Sequence, residues 1–116
     1  MSSIFPFDIP ETVRRESLVL LDSDEWLIGA PLTFWASMCW GRGTDWCTAC
    51  DLTAFEIYHR QGPLLVFRQR YEGGCWQLHP ATREFRNGQN RLASWRGFLG
   101  HYPVICGALF AMGESL

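Results

Sequence analysis

Two side chains in this sequence, Cys47 and His79, have the chemistry of a nucleophile and its base. A thiol becomes nucleophilic when an imidazole within hydrogen-bond reach favours the thiolate, and separation along the chain is no obstacle to that meeting. His59 is a second possible base. The plainer reading is core: free cysteine is among the most buried residue types, and Trp46 beside it suits a buried stretch. Cys47-x-x-Cys50, with Cys39, His59 and His79, also has zinc-ligand residue types. One C-x-x-C without a second pair is a weak signal, so no metal and no cofactor are assigned. A redox C-x-x-C would belong to a β-α-β setting, which fits this chain poorly.

Just ahead of the thiol stands a polar cluster, Gly41-x-Gly43-Thr44, followed by Thr48. Two glycines let a backbone approach a ligand closely, free amides in such a loop can cradle an anion, and the threonine hydroxyls add donors. The competing reading has the glycines simply end a helix while the hydroxyls bond nearby backbone. No lysine or third glycine follows, so neither the P-loop nor the dinucleotide fingerprint is present.

Charge is unevenly spread. The net charge is −2, but residues 1–58 hold nine of the twelve acids, residues 59–116 hold seven of the ten arginines, and there is no lysine. Guanidinium groups grip carboxylates and phosphates in a planar fork, which an ammonium group does not. Arg68, Arg70, Arg83, Arg86 and Arg91 are therefore candidates for holding an acidic partner or phosphate, against the alternative that they only solvate a surface. Arg68-Gln69-Arg70-Tyr71 with Trp76 also has the composition of a nucleic-acid platform, in which bases stack on aromatic rings beside arginines. Net acidity opposes that reading.

The elements that must position these residues follow from pattern. Residues 1–10, with Pro6 and Pro10, read as an extended arm that packs down, and Pro10–Arg15 as a short helix. Ser17–Leu21 and Glu25–Ala30 read as a hairpin around Asp22-Ser23-Asp24. Thr33 caps a helix over 34–40, which Gly41–Thr44 stops. Asp51 or Thr53 caps a second helix carrying Phe55 and Tyr58, with Gly62 at its end and Pro63 beyond. Leu64–Phe67 and Cys75–His79 form a second hairpin, Asn87-Gly88 a turn, and Leu92–Leu99 and Val104–Met112 two helices. This order predicts an α+β fold: a small antiparallel sheet built from hairpins, with helices packed on one face.

A chain of 116 residues is one domain by length, and an apolar fraction of 47% supplies its core. The longest apolar run, Val104–Met112, is too short to span a bilayer. The first residues lack a basic stretch followed by an apolar one, so the expectation is a cytoplasmic protein with reduced thiols. The residues from Leu92 onward, rich in Phe98, Leu99, Tyr102, Val104, Ile105, Leu109 and Phe110, read as a last helical layer or as a dimer face, leaving monomer and homodimer both open.

Several separated blocks carry a resemblance. They are Asp24-Glu25-Trp26, Pro31-Leu32-Thr33, Ala36-Ser37, Gly41-x-Gly43-Thr44-x-Trp46-Cys47-Thr48-Ala49, Phe55-x-x-Tyr58, Gly62-Pro63-Leu64, Gln77-x-His79 and Phe85. Over about residues 17–91 the chain resembles a short domain of phage, prophage and some bacterial proteins that has no established activity. Where that pattern ends in acids, this chain has Asn87 and Asn90, with Arg91 kept, and its tyrosine after Gly-Pro-Leu is Leu65. The resemblance implies a small phage- or mobile-element-associated protein that binds and modulates a host macromolecular complex, for example an anti-CRISPR-type inhibitor, and the missing acids favour binding over catalysis. The alternatives are a small enzyme or ligand-binding domain using the Gly41–Thr48 loop with Cys47 and His79, and a nucleic-acid module using the arginine-rich hairpin.

Overall fold

The computed structural model describes residues 6–111, so Ile4 and Phe5 of the expected arm and Met112 of the last helix lie outside the described residues. Five strands, β1 (Ser17–Asp22), β2 (Trp26–Pro31), β3 (Leu65–Gln69), β4 (Cys75–His79) and β5 (Glu84–Asn87), form one antiparallel sheet in chain order. Around it lie α1 (Glu11–Arg14), α2 (Phe34–Trp40), a 3-10 turn (Cys47–Ala49), α3 (Leu52–Gln61), α4 (Trp95–His101) and α5 (Pro103–Ala111). The α+β class and the hairpin-built antiparallel sheet are as the sequence predicts. Among the described residues, no helix is long and apolar enough to cross a membrane.

The helices divide between both faces of the sheet rather than lying on one. Alternate residues of a strand point to opposite faces, and the central strands are apolar at consecutive positions. Trp26, Ile28, Leu65, Phe67, Leu78 and Phe85 pack with Phe98, Ile105 and Leu109 of α4 and α5. Leu27 and Val66 point the other way, against Ile9, Val13, Ala36, Trp40 and Trp46. A continuous apolar run is the mark of a strand covered on both sides. Gly29 lets α2 come close: a Cβ there would lie 2.8 Å from the Trp40 ring and 2.7 Å from the Leu18 carbonyl.

Local chemistry sets the boundaries. The Thr33 side chain accepts from the Ala36 amide, Asp51 from Thr53, and Ser94 from Gly97, so each of these helices starts on a capped amide. Ser94 moves the start of α4 three residues later than the apolar Leu92 suggests, and Leu92 itself is exposed. Gly62 is extended, so Pro63, not a left-handed glycine, ends α3. β5 is an additional strand. It pairs His79 with Glu84 and Gln77 with Arg86, and residues 91–93 cover its outer edge through the bonds Asn87 N–H to Arg91 O and Ala93 N–H to Phe85 O. In the expected last layer Phe98, Ile105 and Leu109 face the sheet, while Val104 is exposed and the side chain of Phe110 lies outside the described residues.

Candidate functional site

The segment between α2 and α3 is shaped by close approach. Ala49 fills the space where a side chain on Gly41 would begin, and Gly43, at φ 81°, occupies the left-handed region that favours glycine. Four of the loop's amides are spent within the protein. Arg42 N–H donates to Cys39 O, Thr44 N–H to Gly41 O and Asp45 N–H to Gly88 O, and Trp46 N–H reaches the Thr44 hydroxyl. Thr44 returns its own proton to Gly41 O. These bonds close the loop into a strap. The Trp46 indole, buried, donates to Asn87 O at 2.7 Å and fastens the strap to the end of β5.

Beyond the strap, an open cleft of about 350 Å³ separates the 3-10 turn and α3 from β4 and β5. Cys47, Thr48, Ala54 and Tyr58 form one wall; Gln77, His79, Glu84, Arg86 and Asn90 form the other. Thr48 is buried, and its hydroxyl accepts from the Gln77 amide at 3.1 Å. The Tyr58 hydroxyl lies 3.2 Å from both oxygens of Glu84, and Arg86 approaches the same carboxylate with Nε and Nη2 at 3.3 and 3.1 Å. Burial pushes the Glu84 carboxyl up, but the hydrogen bonds from Arg86, Thr82 and Tyr58 outweigh it and hold it below the usual range. The Tyr58 phenol moves up, first through burial and then through the Glu84 charge.

The cleft thus holds Cys47, Thr48, His79 and Arg86 of the residues singled out in the sequence, but it does not pair the first with the third. His79 is 2% exposed, and both ring nitrogens are used: Nε2 donates to Tyr58 O at 2.8 Å, and Nδ1 lies 2.7 Å from the Thr82 hydroxyl. Cys47 is exposed and forms no hydrogen bond with this ring. His79 ties the last turn of α3 to β4, where an imidazole with two close partners completes the packing. Among the described residues, no group of three or more His, Cys, Asp or Glu side chains gathers as a metal site.

Tyr58, Gln77, Glu84 and Asn90 are cleft residues that the sequence reading did not propose for a site. The alternation Glu84-x-Arg86 is the signal of one strand face. Asn90 is on the rim at φ 62°, and its carbonyl accepts from Arg86. Asn87 uses its side-chain oxygen to accept the Gln89 and Arg91 amides of the turn.

The arginine set splits. Arg68 and Arg70 are bonded to the chain's own backbone and carboxylates. Arg68 is buried and donates from Nη1 to Trp40 O and Arg42 O at the end of α2, while Arg70 bonds Ser23 O, Phe7 O and the Asp22 carboxylate. Polar backbone at an element's end absorbs them, which no charge count reveals. Arg83, at φ 60° in the β4–β5 turn, and Arg91 are exposed. Leu32, Trp35 and Met38, three residues apart along α2 and its lead-in, are 51%, 51% and 41% exposed. No family model, curated protein or solved structure matches the chain.

Proposed function

We propose that this protein acts by binding a larger protein assembly and modulating it, with a phage-borne inhibitor of a host defence complex, such as an anti-CRISPR-type protein, as the concrete form. That specific form rests on the sequence resemblance alone. The observation that carries a protein partner is the apolar stripe of Trp35 and Met38 on α2 with Leu32 just before it. Large apolar side chains left in water at helical spacing gain free energy when covered, and Trp and Met are enriched in protein interfaces. Capture from a host lysate with nuclease present, comparing the wild type with a Trp35→Ser/Met38→Ser variant, tests this. A stoichiometric protein retained by the wild type and lost by the folded variant supports the reading. The same proteins on both would remove the stripe from the account, and a capture that nuclease abolishes would move the partner to nucleic acid.

A second reading, ligand binding, has its own support: residues from four elements converge on one cleft. Its buried Thr48–Gln77 pair and the Tyr58–Glu84–Arg86 cluster are already satisfied, which suits recognition of a polar molecule rather than proton transfer. Thermal-shift screening of polar metabolites against the wild type and Cys47→Trp, whose indole would fill the mouth, tests this reading. A ligand that stabilises both proteins equally binds elsewhere.

A further inference from the structure

Four of the ten arginines converge on two residues of the segment leading into α1. The Phe7 amide donates to Arg70 O at 2.6 Å, and Phe7 O accepts from Arg70 Nη1 at 2.9 Å. The Asp8 carboxylate lies 2.8 Å from Arg14 Nη2 and 3.8 Å from Arg70 Nη1, and Asp8 O accepts from Arg42 Nη2 at 2.7 Å. The Phe7 ring sits against two guanidinium groups at once, 4.0 Å from Arg68 and 4.6 Å from Arg42. Among the described residues Arg68 has no carboxylate partner, and its Nε, fully buried, forms no hydrogen bond. Burying a guanidinium without an anion is unfavourable, and an apolar side chain of similar volume fills such a place at least as well. The Phe7 ring covers the Arg68 and Arg42 guanidinium groups in place of an anion.

We propose that the surface over Arg14, Arg42, Arg68 and Arg70 is a docking site for an extended partner segment in which an aromatic residue precedes an acidic one, and that Phe7 and Asp8 fill it in cis. The ring enters between two cations, the carboxylate takes Arg14, and the backbone adds a strand-like bond to the Arg70 carbonyl. Ile9 and Val13, 4% and 0% exposed, are the firm anchor of this layer, whereas Phe7 is only half-buried against it and the Asp8 side chain is 57% exposed. An incoming segment can therefore exchange with Phe7 and Asp8 while Ile9 and Val13 stay in place. The site shares no residue with the cleft and does not need the α2 stripe, so it stands or falls separately from both readings above.

Fluorescence anisotropy with three labelled peptides tests it: residues 4–10 of this chain, the same peptide with Tyr-Glu in place of Phe-Asp, and a control with Ala-Ala there. The full-length wild type should bind the first two weakly, because its own Phe7 and Asp8 compete at high local concentration. A Phe7→Ala/Asp8→Asn variant should bind both about tenfold tighter or more, neither protein should bind the control, and adding Arg42→Ala should remove the gain. A folded double variant that gains nothing, a gain shared by the Ala-Ala peptide, or a wild type closed to both peptides at millimolar concentration would overturn the proposal. A double variant that fails to fold, as judged by circular dichroism, would also overturn it, since Phe7 and Asp8 would then be a structural clamp.

Discussion

His79→Ala separates a structural imidazole from a catalytic one. The ring contributes two hydrogen bonds, to Tyr58 O and the Thr82 hydroxyl, at 2.8 and 2.7 Å. Each such bond contributes about 1 kcal/mol net. Tyr58 O keeps a second partner, the Gly62 amide, so no carbonyl is orphaned. Emptying a 2%-exposed site next to the Tyr58 ring, whose centroid is 4.9 Å away, adds about 1–2 kcal/mol of lost contact. The sum is about 3–4 kcal/mol, which for a domain of this size lowers the melting temperature by roughly 10–20 °C. Urea denaturation with tryptophan fluorescence reads the free energy, and calorimetry reads the midpoint. Cys47→Ser is the control: its side chain is exposed and should leave both unchanged. A His79→Ala protein within about 0.5 kcal/mol of wild type, the range of ordinary surface changes, would refute the structural role and restore the imidazole as a free base.

Gly29→Ala should destabilise by about 2–3 kcal/mol, because the new methyl meets a backbone carbonyl and the rigid Trp40 ring, whose indole is itself held by Ser17; denaturant midpoints check it. Burial pushes the Cys39 and Cys75 thiols up, although nearby arginines oppose it, so both should react with a disulfide reagent only after the exposed Cys47 and Cys50; mass spectrometry of partly labelled protein gives the order. Burial raises the Asp8 carboxyl, but Arg14, the Ile9 amide and Arg70 outweigh it, and Glu84 is likewise held low. A carboxyl lowered in the folded state stabilises fully above its unfolded pKa of about 4 and loses that contribution as pH falls through the folded value. Stability should therefore drop below about pH 4, and Asp8→Asn should flatten part of that slope in pH-resolved melting curves.

The strands and most helix starts were legible because their signals are local: alternating or continuous apolar runs, and Thr33 and Asp51 placed where a cap is needed. β5 was not, because Glu84-Phe85-Arg86-Asn87 holds one apolar residue in four and becomes a strand only by pairing with β4. In the cleft, Cys47, Thr48, His79 and Arg86 were visible as residue types. Their relations were not, since a histidine between a carbonyl and a hydroxyl reads the same in sequence as one beside a thiol. Arg68 and Arg70 show the same limit from the other side: the carbonyls and the Phe7 ring that occupy them come from distant parts of the chain.

The two-sided sheet also has a consequence for synthesis. The layer with Ile9, Val13 and Trp40 precedes β3 to β5, so one face can be covered as the strands assemble. The other face depends on Phe98, Ile105 and Leu109, which follow every strand. Until α4 and α5 leave the ribosome, Trp26, Phe67, Leu78 and Phe85 have no cover. For that interval the nascent sheet is a sticky apolar plane, and this is when a chaperone would bind or neighbouring chains would aggregate.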